Sequence, residues 1–284
     1  MRRRSWPGPA DLLAHAVLLL GVLVVAFPIW MVFVASTHPL ATIRDLNLPL
    51  LPGDRLVENY AAALFSGSAT IDGVPVWRLM LNSLVMALTI TAGKIALSLL
   101  AAFAIVYFRF PLRMTSFWLI FATLMLPVEV RIVPTFKVVA DLGMLDSYAG
   151  LTVPLIASAT ATFLFRQVFL TVPKELVEAA RMDGAGPLRF FWDILVPLSR
   201  TNIAALSVIL FIYGWNQYLW PLLATTHADM ATMIIGIKKM IAQADASTEW
   251  HLVMASIILA MLPPLAVMVL MQRWFVRGLT ETEK

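Results

Sequence analysis

The sequence predicts an all-α, polytopic membrane protein with six transmembrane helices and a cytoplasmic helix-turn-helix between the fourth and fifth. The first observation is composition: 60% of the 284 residues are hydrophobic, only 13% are charged, and the mean hydropathy is +0.84. Soluble domains carry about 25% charged residues. The second observation is the pattern of long apolar runs without the alternating segments of a membrane β-barrel. The third is an uneven distribution of Lys and Arg.

The first apolar run, residues 12–36, follows a short basic N-terminus over residues 1–11. A secretory signal peptide also combines a basic start with an apolar stretch. This run is longer than the apolar core of a typical signal peptide, which is about 7–15 residues, and no clear small-residue cleavage site follows it. We therefore interpret residues 12–36 as the first transmembrane span.

Five further apolar segments complete a predicted transmembrane domain over residues 12–275. Of all six spans, the third is interrupted by Pro127, Glu129, Arg131 and Pro134, and the sixth contains Pro263 and Pro264. A polar segment over residues 171–200 separates the fourth span from the fifth, and residues 276–284 form a short tail. The predicted spans after the first are 82–108, 115–140, 149–170, 202–224 and 251–275.

Basic residues predict the orientation of these spans. One side of the membrane would carry most of them: Arg2, Arg3, Arg4, Arg109, Arg113, Arg166, Lys174, Arg181, Arg189, Arg200, Arg273, Arg277 and Lys284. The opposite side would carry only Arg44, Arg55, Arg78, Lys238 and Lys239. Because basic residues favour the cytoplasm, we expect both termini and residues 171–200 to be cytoplasmic.

The polar segment has helix signals of its own. Pro173 suits a first helical turn with Thr171 as its cap, Gly184 suits a helix stop, and Gly186 and Pro187 start a second helix that Pro197 ends or kinks. Apolar side chains recur along both helices: Leu176, Val177, Ala180, Met182, Leu188, Phe190, Phe191, Ile194 and Leu195. An apolar patch in a cytoplasmic segment indicates docking of a partner protein. The alternative is a loop folded on the membrane surface.

Catalytic signatures are absent from the sequence. There is no cysteine, no P-loop, no HExxH and no GxSxG, and the four histidines are scattered. Gly93 and Lys94 lack the upstream glycine and the following Ser or Thr of a P-loop. We therefore expect no enzymatic activity, no metal site and no cofactor bound by this chain.

Charged residues inside the predicted spans are Lys94, Glu129, Arg131 and Lys137. A charge at the centre of a bilayer costs from about 3 to more than 10 kcal/mol unless it is paired or hydrated. One interpretation is a structural ion pair between Glu129 and Lys94 or Arg131. The other is that these residues line the path of an anionic solute, because the cations outnumber the anion.

A second polar cluster lies in the predicted fifth span, where Trp215, Asn216 and Gln217 follow Tyr213 and Gly214. On a regular helix Asn216 and Gln217 would form one polar patch beside aromatic rings, which suits a sugar or polyol. The alternative is a packed interior helix with an aromatic belt at its outer end. Asn82 and Ser83 are interpreted as helix caps.

The residues from Glu178 to Pro197 resemble the signature of binding-protein-dependent ABC importer permeases, the EAA-loop, maltose-type family. Glu178, Ala179 and Ala180 are followed by Gly184, and Ile194 precedes Pro197 by three residues. Val196 stands where the family usually has Leu. Stretches such as LMLPVEVRI (124–132), ASATATFLFRQ (157–167) and FIYGWNQYLWPLL (211–223) resemble permeases of sn-glycerol-3-phosphate importers, and the resemblance covers nearly the whole chain.

The resemblance implies an ATP-driven importer for sn-glycerol-3-phosphate. Its partners would be a second permease, two copies of an ABC ATPase that bind ATP and Mg²⁺, a periplasmic solute-binding protein and membrane lipid, with no nucleic acid. The implied ATPase-docking residues are Glu178, Ala179, Ala180, Asp183, Gly184 and Pro197. The candidate solute path comprises Lys94, Glu129, Arg131, Trp215, Asn216 and Gln217.

Three alternatives remain open at this point. A permease of the same family could carry a neutral sugar or oligosaccharide. An ion-coupled secondary transporter would show inverted repeats, and none is visible in the sequence. A polytopic membrane enzyme would need a nucleophile, a base or metal ligands inside the spans, and no such constellation assembles.

Overall fold

The regular structure of the described residues is helical and includes no β-strand. The computed structural model describes residues 9–45, 49–123, 126, 128–242 and 248–280. Contacts divide the chain into two units, residues 1–76 with 237–260 and residues 77–236 with 261–284.

The first unit begins with α1 (Pro9–Ser36), which contains Pro28. The side chains from Asp11 to Trp30 are exposed, including the large apolar ones. A helix that is apolar on all sides is stable only where lipid or protein covers it, so α1 has the character of a membrane span. Two short helices follow, α2 (Leu40–Arg44) and α3 (Leu56–Ala61), and α3 continues as a π-helical turn over Ala62–Ser66.

A buried amide holds the end of α1 against α3. The Asn59 side chain donates to the carbonyl oxygens of Ser36 at 2.8 Å and His38 at 3.0 Å. Those carbonyls lie at and beyond the end of α1, where no later amide of the helix can donate to them. Tyr60 also contacts the Ser36 hydroxyl at 3.0 Å, and burial raises the pKa of Tyr60 despite that hydrogen bond.

The second unit is built around α4 (Val76–Tyr107), a helix of 32 residues. At 1.5 Å per residue it is about 48 Å long, more than the hydrocarbon thickness of a bilayer. The helix thus begins six residues before the predicted span of 82–108, and the bounds of that span in the membrane stay a prediction. Beyond it lie α5 (Arg113–Ala122), α6 (Val128–Asp141), α7 (Tyr148–Thr152) and α8 (Ala159–Leu170).

Serine caps explain where two of these helices begin. Ser147 accepts a hydrogen bond from the Gly150 amide at the start of α7, and Ser158 accepts one from the Ala161 amide at the start of α8. The 3₁₀ turn Val153–Leu155 lies between them. The predicted fourth span, 149–170, is therefore two helices that meet at 48°.

The remaining helices are α9 (Lys174–Met182), α10 (Pro187–Phe190), α11 (Val196–Leu198), α12 (Arg200–Trp215), α13 (Leu219–Ala224), α14 (Met233–Ala242) and α15 (Trp250–Thr280). The predicted fifth span, 202–224, is broken between α12 and α13. The predicted third span is likewise divided into α5 and α6, as its prolines indicated.

Three helical segments within the described residues are long and apolar enough to cross a membrane, namely Asp11–Ser36, Val76–Tyr107 and Trp250–Gln272. Two bent pairs pass the same test, Tyr148–Leu155 with Ala159–Leu170 and Pro187–Leu198 with Arg200–Trp215, so the number rises to five if each pair is one span. The structure thus has the apolar helices of a multi-pass membrane protein.

Two apolar clusters form the interior of the second unit. One packs α4 and α8 against α9, the segment 190–195 and α12, and it includes Phe103, Phe165 and Phe191. The other packs α4 against α6, α7 and α13, and it includes Met86, Ile132 and Trp220. Of the candidate site residues, Ala180 belongs to the first cluster, and Lys94 lies on α4 between the two.

Candidate functional site

The polar segment after α8 folds as a helix, a tight turn and a second helix. Helix α9 (Lys174–Met182) follows Pro173, whose φ of −58° and ψ of 139° are those of a residue just outside a helix. Gly184 has a φ of +74°, a conformation that side-chain-bearing residues rarely adopt. Thr171 does not cap α9: it ends α8, and its hydroxyl donates to the Val168 carbonyl oxygen at 2.8 Å.

The second half of this segment runs continuously from Pro187 to Leu198. It starts with Gly186 as the N-cap and Pro187 in the first turn, as predicted, and contains a π-helical turn over Phe191–Leu195. Pro197 lies inside the helical run, one residue before its end at Leu198. Of the two outcomes predicted for it, an end or a kink, Pro197 therefore does not itself end the helix. Because proline has no amide hydrogen, a bond to the carbonyl of residue 193 is missing, and the wider π turn precedes that gap. Ser199 then separates this run from α12 at an angle of 72°.

An aromatic base lies beneath the helix-turn-helix. The Phe191 ring centroid is 4.9 Å from that of Phe103, and Phe190 is 5.2 Å from Tyr107 in an edge-to-face arrangement. The Tyr107 hydroxyl also donates to the Phe169 carbonyl oxygen at 3.1 Å. These contacts join the helix-turn-helix to the ends of α4 and α8 through packed rings, and such aromatic pairs stabilise more than their buried area alone would.

A pocket of about 260 Å³ remains between α4 and the helix-turn-helix. Its walls are mainly aromatic and aliphatic, and Arg109 and Arg181 lie at its edge. The pocket therefore lies at the contact between the end of α4 and the helix-turn-helix.

The opposite face of the helix-turn-helix is exposed and apolar. Met182 is 84% exposed, and Leu188 and Trp192 are 67% and 63% exposed. Glu178, Ala179, Asp183 and Gly184 also lie at the surface. An apolar patch on an otherwise polar segment is typical of a protein-docking surface.

Ala180 departs from the docking role expected of it. Its side chain is only 6% exposed and belongs to the aromatic cluster of its own chain. Those neighbours cover the methyl group, so it contacts α4 and residues 190–191 rather than an outside partner. The small side chain therefore allows α9 to approach the aromatic base, while Ala179 faces outward.

A buried cation lies farther along α4. Lys94 is 7% exposed, and its Nζ atom is 4.0 Å from the ring centroid of Tyr213 on α12. No ion pair joins Lys94 to a carboxylate among the side chains that the structure describes. The positive charge of Arg131 is close enough to act on Lys94. Two cations thus lie near each other, and a cation–π contact holds one of them.

The other predicted path residues are dispersed. Arg131 is exposed on α6, and Glu129 lies on the same helix with a side chain outside the described residues, so the predicted ion pair is not tested. Trp215 is 1% exposed and stacks on Phe211, with ring centroids 6.1 Å apart. Its position agrees with the packed-helix alternative.

Asn216 and Gln217 do not share the regular helix that was assumed. Asn216 is the residue after the end of α12, and the Gln217 side chain donates back to the Tyr213 carbonyl oxygen at 3.2 Å. The chain leaves helical geometry here, because α13 starts only at Leu219. The single polar patch predicted for these two residues was therefore wrong.

Asn82 and Ser83 are not helix caps of α4, which begins six residues earlier. Asn82 is fully buried, and its side chain donates to the Asp229 and Ala231 carbonyl oxygens at 2.8 and 2.9 Å and accepts from the Tyr148 hydroxyl at 2.8 Å. Ser83 accepts from the Met233 amide at the start of α14. These two residues hold the segment before α14, a role that sequence reasoning missed because its partners are distant in the chain.

Close helix contacts around Lys94 were also missed. A side chain added at Gly214 would meet the Ala87 Cα atom at 2.9 Å, and one at Gly93 would meet Ile156 at 2.7 Å. Glycine at these positions lets α12 and the α7–α8 break approach α4. Two glycines inside predicted spans were the available signal, since small residues mark close helix packing in membranes. No group of three His, Cys, Asp or Glu is placed to hold a metal ion among the described residues.

Similarity to known proteins adds to this geometry. Relatives described as the sn-glycerol-3-phosphate transport system permease protein UgpE match over nearly the full chain. The relative from Brucella melitensis is 63% identical over 275 residues, which are 97% of this chain and 98% of the relative. The relative from Rhizobium meliloti is 62% identical over the same shares of both chains. The relative from Escherichia coli O157:H7 is 58% identical over 284 residues and 100% of both chains.

A solved structure has the same fold. It is a bacterial ABC transporter involved in the import of the acidic polysaccharide alginate, and the matching chain is 23% identical with a TM-score of 0.78. The match covers 95% of this chain and 99% of the other. The family described as the binding-protein-dependent transport system inner membrane component matches residues 94–281. On this match and the full-length relatives, the chain belongs to that family of inner membrane transport components.

Proposed function

We propose that this chain is a permease subunit of an ATP-driven importer that carries sn-glycerol-3-phosphate across the bacterial inner membrane. The observation that carries the proposal is the 63% identity, over 97% of the chain, to a permease of an sn-glycerol-3-phosphate transport system. The partners are a second permease, two ABC ATPase subunits that bind ATP and Mg²⁺, and a periplasmic binding protein.

Six spans with both termini in the cytoplasm complete the topology of this proposal. Helices α1, α4 and α15 supply three spans, the α7–α8 pair a fourth, α12 with α13 a fifth, and α5 with α6 the remaining one. The basic residues of the polar segments support this orientation. It places residues 171–200 on the cytoplasmic side, where ATP is available.

The helix-turn-helix would transmit ATPase motion to the spans. Its exposed face, with Glu178, Ala179, Asp183 and Gly184, docks on an ATPase, and its buried face rests on the aromatic base. The run from Pro187 to Leu198 leads through Ser199 into α12, so displacement of the docked element moves α12. Closure of the ATPase dimer would then switch the paired permeases between inward-facing and outward-facing states.

The solute path of this proposal lies along α4, α6 and α12. Lys94 and Arg131 supply positive charge for a phosphate, as a point charge and as a bidentate fork respectively. Asn216 and Gln217 supply amide groups near the glycerol moiety, and Glu129 balances the positive charge of Arg131 when no solute is present. Trp215 packs behind them.

Uptake into proteoliposomes tests the function directly. The chain is reconstituted with its second permease, ATPase and binding protein, and radiolabelled sn-glycerol-3-phosphate uptake is measured with ATP inside. We expect ATP-dependent accumulation that excess unlabelled sn-glycerol-3-phosphate abolishes and maltose does not. Uptake of maltose in its place would support the neutral-sugar alternative, and uptake without the ATPase would support a secondary transporter.

A further inference from the structure

The contact between Lys94 and Tyr213 joins two helices that have different tasks. Helix α4 carries the buried charge, and α12 is the helix that directly follows the helix-turn-helix segment. Beside this contact, α4 and α12 approach closely at Ala87 and Gly214, where an added Cβ would lie 2.9 Å from the Ala87 Cα atom. The Lys94 side chain therefore connects a buried charge on α4 to the helix that directly follows the helix-turn-helix.

The charges around Lys94 favour an anion. Its neighbour Arg131 is a second cation, and no described carboxylate forms an ion pair with Lys94. The polar residues next to it along the same face of α4 already have partners: the Thr91 hydroxyl donates to the Ala87 carbonyl oxygen, and the Ser98 hydroxyl donates to the Ser158 carbonyl oxygen. Among the side chains that the structure describes, the Tyr213 ring is thus the contact that stabilises the ammonium group.

An aromatic face is a weaker partner for an ammonium than a phosphate is. The ring offers only a quadrupole, whereas a phosphate offers up to two full negative charges and several acceptor oxygens. In a site of low dielectric constant this difference grows, because direct charge–charge attraction is screened least there. A phosphate ester that reaches Lys94 therefore competes successfully with the ring.

We propose that Lys94 and Tyr213 form a solute-responsive latch, in which Lys94 rests on the Tyr213 ring in the empty permease and transfers to the phosphate group of a phosphomonoester solute. The transfer frees α12 from α4 and so makes the switch between the two access states depend on the solute. Tyr213 is a positioning residue, and Lys94 contacts the solute. This inference rests on the proposed function, since it requires a phosphate-bearing solute.

The test compares variants in the complete complex reconstituted in liposomes, with sn-glycerol-3-phosphate as the solute. Basal ATP hydrolysis, hydrolysis stimulated by the solute-loaded binding protein, and uptake are all measured. Lys94→Met should reduce uptake about tenfold, as expected for one lost charge-assisted contact, and Lys94→Arg should restore much of it. Lys238→Met, at an exposed lysine on α14 outside the proposed path, is the control and should transport at the wild-type rate.

Tyr213 is tested by separating its ring from its hydroxyl. Tyr213→Leu removes the aromatic face and should lower the ratio of stimulated to basal ATP hydrolysis about fivefold, mainly by raising basal hydrolysis. Tyr213→Phe keeps the face and should behave like the wild type. Equal effects of the two variants would overturn the latch, because the latch requires the aromatic ring, which phenylalanine keeps and leucine lacks.

Failure to fold and failure to function are kept apart by one further readout and by the wild-type complex. Complex assembly is followed by size-exclusion chromatography, and a Lys94→Met complex that assembles and still transports normally would overturn the proposal. A wild-type complex that does not transport sn-glycerol-3-phosphate would refute the proposed function instead. A wild-type complex that transports while Tyr213→Leu keeps its normal stimulation ratio would refute the latch alone.

Discussion

The helix-turn-helix and the Lys94 region hold their side chains in opposite ways. Beneath the helix-turn-helix, several rings pack on one another, and Phe191 and Leu195 are almost fully buried. At Lys94, one buried ammonium rests on one ring that is itself 39% exposed. The first arrangement distributes its stabilisation over many contacts, whereas for Lys94 the described residues show one such contact.

This difference matches what each region would have to do. A segment that transmits force must move as one body, and interdigitated rings deform little because packed cores are bistable rather than soft. A segment that senses a solute must change with a small input of free energy, so a single weak contact suits it better. Substitutions that loosen the helix-turn-helix or alter the Lys94 region therefore test whether the two regions differ in this way.

The largest effect is expected from Gly184→Pro. Gly184 has a φ of +74°, and its amide donates to the Arg181 carbonyl oxygen at 3.1 Å. Proline cannot adopt this positive φ and has no amide hydrogen to donate. The turn should be disrupted at a cost of roughly 3 kcal/mol, and uptake should be lost while membrane insertion persists. Uptake and ATP hydrolysis are measured in the reconstituted complex.

Gly143→Pro is the matched control for that change. Gly143 has a φ of +67°, its amide donates to the Ala140 carbonyl oxygen at 2.9 Å, and a Cβ atom would meet nothing at either glycine. The backbone damage is thus similar, but it falls in the turn between α6 and α7. If both variants lost coupling to the same degree, the helix-turn-helix would have no special role.

Arg131→Gln should reduce uptake of sn-glycerol-3-phosphate by about tenfold, because one charge-assisted contact to the phosphate is lost. Assembly with the partners should be unchanged, since the Arg131 side chain is exposed and glutamine keeps a polar side chain there. Initial uptake rates and the yield of purified complex are measured together. A fall in yield with normal uptake per complex would favour the structural ion-pair interpretation.

The two adjacent alanines of α9 provide an intermediate effect. Ala180→Leu overpacks the aromatic cluster and should lower the free energy of unfolding by about 1–3 kcal/mol. Ala179→Leu should leave the melting temperature unchanged and weaken binding of the ATPase, because Ala179 faces outward. Thermal unfolding and ATPase co-purification separate the two. Identical behaviour of the variants would contradict the assignment of one inner and one outer alanine.

How far the sequence predicted these regions depended on the range of the interactions. Local residue preferences predict the turn at Gly184 and the helix start at Pro187, and both are present in the structure. The pairing of Lys94 with Tyr213 was not predictable in this way, since it joins residues more than a hundred positions apart. The same holds for Asn82, whose buried amide satisfies carbonyls next to α14 rather than capping its own helix.

The break after Trp215 shows a further limit of sequence reasoning. Apolar composition predicted one helix through residues 202–224, but composition does not report where backbone hydrogen bonding stops. In the structure the Asn216 and Gln217 positions lie between α12 and α13. Burial of Ala180 was hidden for a similar reason, because the rings that cover it come from α4 and from the second half of the helix-turn-helix.

The smallest effect is expected at Asp146, in the turn between α6 and α7. Burial raises the pKa of this carboxyl, but hydrogen bonds from the Thr226 hydroxyl and the Thr226 and His227 amides outweigh burial and leave the pKa below its ordinary value. A lowered pKa stabilises the folded state above the ordinary Asp value of about 3.9, and the stabilisation is lost as pH falls through the lowered pKa.

Asp146→Asn should therefore cost about 1 kcal/mol at pH 7 and progressively less below about pH 4. The thermal unfolding of the detergent-solubilised variant and of the unsubstituted protein is compared at pH 7 and below about pH 4. Asp141→Asn, an exposed residue that precedes the same turn, is the control and should change little at either pH. A penalty at Asp146 that does not depend on pH would show that the carboxylate charge is not what holds the Thr226 segment.

Site-specific cross-linking tests the central claim, that the exposed face of the helix-turn-helix binds an ATPase. The chain contains no cysteine, so a single introduced cysteine reports on one position. Met182→Cys, at a side chain that is 84% exposed, should cross-link to the ATPase in the assembled complex, and the yield should change when ATP is added. Leu142→Cys, at a side chain that is 67% exposed in the turn after α6, should give no such product. Cross-linking of Leu142→Cys to the ATPase, with none from Met182→Cys, would contradict the account.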